Sequence, residues 1–290
     1  MKMKKSDKKC DLHTHTVHSD GTYTPRELVE AAVKAGISAI ALTDHNTVSG
    51  LDEFLAVSKE MNIEGVAGVE FSVEYGSKEL HLIGMFIKPE KFDSVMDFIG
   101  DVTERKNDAN RRLVKKLAIL GYDIDYDAII SSTPDGYVNR AHIAAEMVRK
   151  GYVKTFAEAF DGYLSEKAGY YTPPTNPSIT DTLEFICSIG AVSVLAHPLL
   201  QLSRDELKVL LEAAVKHGLC AIETQYVRYT VEEREFSSAL AKEFALLESG
   251  GSDFHGTNKP DVSLGIGRGD LFVPYEFYEN LKARAQALGQ

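Results

Sequence analysis

Only three of the 290 residues are cysteine, and Cys10, Cys187 and Cys220 stand far apart with no Cys-x-x-Cys pair among them. An odd, scattered set excludes a disulfide framework and a thiolate metal site, and leaves the three as buried small hydrophobes. Long hydrophobic runs are missing too: the longest resemble ISAIAL and AVSVLA, far short of the roughly 18 residues of a membrane span. The lysine-rich start MKMKKSDKKC leads straight into DLHTHT without an apolar core or cleavage site, which does not read as a secretory signal. A soluble cytoplasmic protein with no membrane partner is expected. Positive charge is scarce, with 32 Lys and Arg against 43 Asp and Glu, so a grip on the backbone of long duplex nucleic acid is a poor match. No internal repeat or low-complexity tract stands out. At 44% hydrophobic and 26% charged, the chain is neither disordered nor fibrous, and it can bury the core of one large domain or of one domain carrying an insertion.

Imidazole, by contrast, is concentrated. HTHTVHSDG, residues 13–21, holds three of the nine histidines and an aspartate. Around it the first hundred residues alternate apolar runs with amphipathic stretches, the pattern of βα units around a parallel sheet. Thr24-Pro25-Arg26-Glu27 carries a helix cap, a first-turn proline and a capping box; LVEAAVKAG then runs to a terminal Gly36. ISAIALT, EGVAGVEFSVEY and ELHLIGMFI read as strands and LDEFLAVSKEMN as a helix. The alternation resumes near Thr180 with a helix through Cys187, then AVSVLAH, a helix from Asp205 to His217, LCAIET, a helix from Val231 to Phe244, and LLESGGSDFH.

Residues 101–172 break this pattern. RRLVKKLAIL, AHIAAEMVRKGY and FAEAFDGYL have helical periodicity with no clear strand between them, and eleven Lys and Arg balance eleven Asp and Glu. The segment, closed by YYTPPTNPS, reads as a helical insertion with its own task, between barrel segments 8–100 and 173–290.

The strand ends carry the polar residues: His13 and His15 after the first, Asp44 and His45 after the second, Glu70 after the third, His81 inside the fourth, His197 after the fifth, Asp253 and His255 after the last. In a parallel barrel these ends converge on one face. Six histidines so placed call for metal or charge partners, because burying them otherwise is prohibitively costly. Imidazole and carboxylate without thiolate suit Zn, Mn or Fe. His13 and His15, two apart on an extended segment, leave the same face and can chelate one ion, and a carboxylate such as Glu70 can bridge two. Asp44 could orient the His45 ring or cap the next turn. His18 reads as a solvent-side loop residue and His217 as a partner of a helix C-terminus.

DLHTHTVHSDGTYTP, ALTDHNTVSG, GVEFS, HLIG, LAHP and SDFHG, in this order from Asp11 to about His255, resemble the PHP (polymerase and histidinol phosphatase) superfamily, specifically its short bacterial metal-dependent phosphoesterases. The resemblance implies an α/β fold, a distorted (β/α)7 TIM-like barrel with an inserted helical subdomain, holding two to three divalent ions (Mn, Zn or Fe). It implies that His13, His15, Glu70 and Asp253 hold the first ion, Glu70, His81 and His197 the second, and Asp20, His45 and His255 the third. Three divalent ions against the carboxylates of Glu70, Asp20 and Asp253 leave a positive bowl suited to phosphate.

In NRAHIA the resemblance further implies that Arg140 and His142 face the bowl and bind substrate phosphate, a task that suits a guanidinium fork. Lys167, before GYYTPP, is a further cation candidate, and Arg228 in QYVRY a weaker one. Tyr170 and Tyr171 could stack on a base or simply pack. The expected activity is hydrolysis of phosphate esters of small nucleotides, such as 3′,5′-bisphosphates, or of short RNA 5′ ends. A hydroxide bridging the metals at Glu70 attacks phosphorus, Arg140 clamps the phosphate, and His142 or a metal-bound water protonates the leaving oxygen. The alternatives are a histidinol phosphate phosphatase or other small-molecule phosphatase, a C–N hydrolase, and a non-catalytic metal-binding module.

Overall fold

The computed structural model describes residues 8–133 and 138–289; residues 1–7 of the lysine-rich start, and with them part of the stretch read as no secretory signal, lie outside these. Strand β1 (Lys9–Asp11) is followed by helix α1 (Pro25–Lys34), β2 (Ile37–Leu42), α2 (Leu51–Glu60), β3 (Glu64–Tyr75) and β4 (Lys78–Met85). Four helices come next: α3 (Phe92–Ile119), α4 (Tyr126–Ser132), α5 (Arg140–Arg149) and the short α6 (Phe156–Ala159). The barrel then resumes with α7 (Ile179–Ser188), β5 (Val192–Ala196), α8 (Arg204–Ala214), β6 (Ala221–Tyr226), α9 (Val231–Glu243), β7 (Leu247–Gly251) and α10 (Tyr275–Leu288). Local sequence explains the helix starts. Thr24 and Glu27 close the expected capping box with Pro25 in the first turn, and Ser203–Glu206 and Thr230–Glu233 repeat that box on α8 and α9. Gly36 takes φ +70° after α1, a conformation glycine adopts without strain.

The seven strands form one sheet in sequence order. Leu12 N–H donates to Gly250 O at 3.1 Å and Asp253 N–H to His13 O at 2.9 Å, so the first and last strands draw together and the sheet nearly closes. A Cβ on Gly251 would sit 2.5 Å from the His13 backbone, which is why only glycine permits this approach. One layer of apolar side chains, including Leu28, Ile40, Phe54, Val69, Leu183, Leu211 and Leu240, packs the helices on the sheet. A second fills the barrel itself with Cys10, Leu12, Ala41, Ile83, Val194 and Ala221, and Tyr278 and Leu281 of α10 close it.

Two expectations need correction. The sheet is mixed: β3 pairs antiparallel with β4, and β4 antiparallel with β5. The cause is the two-residue loop Gly76-Ser77 between Tyr75 and Lys78, with Gly76 at φ +61°; such a loop joins a hairpin and leaves no room for a crossover helix. Of the three cysteines expected to be buried, Cys10 is, Cys220 is half-buried and Cys187 is exposed. Residue 101, the expected start of the insertion, falls inside the continuous helix α3. Packing changes along that helix: Val95, Ile99 and Val102 join the barrel core, whereas Ala109, Leu113 and Leu117 join a separate cluster with Ile143, Met147, Leu164 and Tyr171.

Candidate metal centre

The hairpin determines which side chains reach the bowl. Glu70 lies within β3 rather than at its end, because that strand runs on to Tyr75. His81 is near the start of β4, and since β4 runs opposite to its neighbours, its start shares an end with the C-termini of the parallel strands. The register places His81 opposite Ser72 on one side and Ala196, next to His197, on the other. His13 and His15 extend β1, where Thr43 N–H donates to Thr14 O and His15 N–H to Phe254 O. Three non-glycine residues at the bowl have positive φ: Asn46 (49°), His197 (29°) and Asp253 (53°). Backbone strain of this kind persists where the surroundings over-determine it and clusters at functional sites.

Glu70 sits at the centre. Its Oε2 is 3.1 Å from His13 Nε2, 3.2 Å from His15 Nε2 and 3.2 Å from His45 Nδ1. Its Oε1 is 2.7 Å from His81 Nδ1 and 2.9 Å from His197 Nε2. Asp253 Oδ1 completes the first set, 3.7 Å from His13 Nε2 and 3.3 Å from His15 Nε2. Asp20 Oδ1 gathers another, with His255 Nε2 at 3.1 Å, His15 Nδ1 at 3.7 Å and His45 Nε2 at 3.9 Å. All nine expected ligands therefore converge, and His15 faces two sets rather than one.

This donor set fits divalent ions. Ligands at about 2.1 Å from a tetrahedral ion lie roughly 3.4 Å from one another, close to the separations here. His13 Nδ1 lies 2.9 Å from Glu223 Oε1, so a ring proton belongs there, and Nε2 faces His15 Nε2 at 3.1 Å. His45 Nδ1 is buried without a hydrogen-bond partner. Ring nitrogens and carboxylate oxygens crowded this closely in a buried place call for a cation among them or for protons in its stead. Without an ion, opposite charges within the group pair instead. Burial pushes the Glu70 carboxyl up, but His45, His13 and His81 outweigh it and hold it well below the usual range. Burial lowers His15 and His81, yet the hydrogen bonds that the His15 ring donates to Asp253 and Glu70, and the Glu70 charge beside His81, lift each to about 9.

A family model for the PHP domain matches residues 11–171. The chain belongs to the PHP family. Among its relatives, a 5′-3′ exoribonuclease of Haemophilus influenzae is 32% identical over 86% of this chain and 90% of its own length. A 3′,5′-nucleoside bisphosphate phosphatase of Chromobacterium violaceum is 27% identical over 88% and 90%. The crystal structure of a candidate metal-dependent phosphoesterase of Bifidobacterium adolescentis superposes with a TM-score of 0.85 at 29% identity, covering 96% of each chain.

On this PHP barrel the insertion presents α5 N-terminus first. The Asn139 side chain accepts from Ala141 N–H at 2.9 Å and His142 N–H at 3.3 Å, fixing Arg140 and His142 in the first turn. His142 reaches the Ser19 backbone in the field of Asp20 and His255, and burial holds its ring below the ordinary histidine value. Arg140 Nη1 donates to Leu164 O at 3.2 Å, its guanidinium lies 4.2 Å from the Tyr171 ring centre, and its charge reaches Glu79. A cation in the first turn opposes the helix dipole, so Arg140 is not there to stabilise α5. Tyr171 is buried under Arg140, which leaves it for packing and not for a base. The structure does not bring Lys167 to this group: it is exposed on the turn Glu166–Ala168. Arg228 is exposed just past β6, where its charge reaches Tyr226.

Asp44 does neither of the things expected. It accepts from Thr16 N–H at 2.7 Å, from the Thr16 hydroxyl and from Ser19 Oγ at 2.5 Å, tying down the loop that carries Asp20. His18 is half-buried, in the position that a Cβ on Gly50 would meet. His217 follows α8 as expected and pairs with Glu184 at 2.9 Å.

Five residues escaped the sequence reading. Glu223 of β6, wholly buried, stands behind His13. Tyr226 OH and Lys259 Nζ hold Asp253 Oδ2 at 2.8 and 2.6 Å. Lys106 of α3 is buried, 3.3 Å from Ser72 Oγ and 3.7 Å from Glu79 Oε1, and Glu79 lies 3.7 Å from His81. Glu223 was legible as an acid inside the apolar run LCAIET; the others carried no signal beyond an ordinary polar residue.

Proposed function

We propose that this PHP protein is a metal-dependent phosphoesterase acting on small phosphorylated nucleotides, with 3′,5′-bisphosphates and the 5′ ends of short RNA as the substrate class. The observation that carries this reading is the double face of Glu70: one carboxylate oxygen toward His13, His15 and His45, the other toward His81 and His197. That arrangement suits a bridge between two ions. The names of the Haemophilus and Chromobacterium relatives support the choice of substrate.

His13, His15, Glu70 and Asp253 would hold a first ion, Glu70, His81 and His197 a second, and Asp20, His45 and His255 a third. Divalent ions there supply water activation and neutralise charge developing on a phosphoryl group. The chain's own residues do the rest. Arg140, braced over Tyr171, clamps a phosphate with its fork. His142, kept neutral by burial, offers its ring N–H as a hydrogen bond to a phosphoryl oxygen without giving up the proton. In this reading residues 101–172 are the substrate-binding insertion. The test is metal analysis of the purified protein followed by a phosphate-release screen on nucleotide mono- and bisphosphates, short 5′-phosphorylated RNA, sugar phosphates and histidinol phosphate. Two to three ions per chain and preference for the bisphosphate or RNA are expected. Less than one ion after supply of Mn or Zn, or preference for histidinol phosphate, would overturn it.

A further inference from the structure

Glu223 joins two parts of the bowl through one carboxylate. Its Oε1 accepts from the His13 ring at Nδ1, 2.9 Å away, and its Oε2 accepts from the His197 backbone N–H at 2.7 Å. His13 belongs to the set on one oxygen of Glu70 and His197 to the set on the other. The two rings stack with centroids 5.5 Å apart and planes 20° from parallel. His197 also sits at φ 29°, ψ 47°, immediately before Pro198, a conformation that needs an outside tie to persist. We infer that Glu223 is a positioning residue that couples the two ion sites: it fixes the His13 tautomer for one and the His197 backbone for the other. This rests on the bowl being a metal centre.

The chemistry needs a carboxylate of this length. Both incoming groups are donors, so both oxygens must accept. A glutamine offers one acceptor, and its NH2 meets the second donor head-on. An aspartate keeps two acceptors but is a methylene too short to reach both partners. Because its two oxygens are occupied by N–H groups, Glu223 stands behind the ligands and is not itself one, although it lies close enough to His13 and His197 to be grouped with them.

Zinc affinity of the apoprotein, measured by competition with a chromophoric chelator, tests the inference without reference to turnover. Glu223→Gln and Glu223→Asp should each weaken the two tightest sites together, by about 10- to 100-fold, the effect of losing an outer partner of a ligand histidine. A folded variant with wild-type affinity, or one that loses a single site and leaves the other untouched, overturns the coupling. Wild-type protein needs no substitution for the second readout: in its zinc-loaded form, nitrogen-15 spectra should show a slowly exchanging proton on His13 Nδ1, and a proton on Nε2 instead rules the assignment out even if neither variant folds. Wild-type protein that binds no divalent ion would sink the proposed function itself, a result distinct from either of these.

Discussion

In the barrel mouth His13, His15, Glu70, Asp20 and Asp253 are all buried to within a few per cent, and each touches several others of the group. In the helical insertion Arg140 and His142 are only half-buried, set on the first turn of one helix over a core that shares no residue with the barrel's. The first region is over-determined, since moving any ring disturbs a neighbour. The second is tied more lightly, by the Asn139 cap, the Leu164 carbonyl, the Tyr171 face and the Ser19 backbone. The contrast teaches a division of labour under the proposed function: groups that would hold a fixed geometry are locked into the barrel mouth, and the groups proposed to meet the substrate sit over a separately packed core.

Substitutions on the two sides of this division sharpen it. Glu70→Gln, at the centre of the locked region, should lower kcat by at least about 1,000-fold, or ~4 kcal/mol, while the fold survives; wild-type turnover in the variant would remove Glu70 from its bridging place. Arg140→Ala, in the more lightly tied region, should cost about 30- to 1,000-fold in kcat/KM on a nucleotide bisphosphate, or roughly 2 to 4 kcal/mol. A minimal aryl phosphate should lose much less, metal content should not change, and Arg140→Lys should recover only part. Equal small losses on both substrates would return Arg140 to the surface and blur the division. Lys167→Ala, on the exposed turn, should change kcat/KM by less than about twofold, as surface substitutions away from a site usually do. A loss comparable to that of Arg140→Ala would bring the turn into the substrate path.

The sequence was most readable where polar residues interrupt apolar runs. His13, His15, His45, His197, Asp253 and His255 stand at strand ends in the sequence and in space, so pattern alone located them. Three kinds of residue were not readable. Asp44 looked like a partner for its neighbour His45, but it binds a loop 25 to 28 residues away, and nothing in local spacing distinguishes the two. Lys106 lies on a helix rich in charge, where one buried lysine looks like its exposed neighbours. The direction of β4 turned on Gly76-Ser77, a two-residue hairpin signal outweighed by the βα rhythm on either side.

The reversal of that one strand also dictates the route of the chain. β4 begins at the bowl and ends at Met85 on the opposite floor, so the chain that goes on to Arg140 and His142 leaves from the far end of the barrel. The 28 residues of α3 make a rod of about 42 Å at roughly 1.5 Å per residue, long enough to climb the barrel wall and emerge above it. Val95, Ile99 and Val102 clamp its lower half in the barrel core, and Lys106 meets Ser72 and Glu79 about one turn higher. The rod makes the roof answerable to the floor: one residue added to or removed from α3 above Val102 would turn everything beyond it by about 100°, whereas a residue added in a loop beyond α3 leaves the stem's register unchanged.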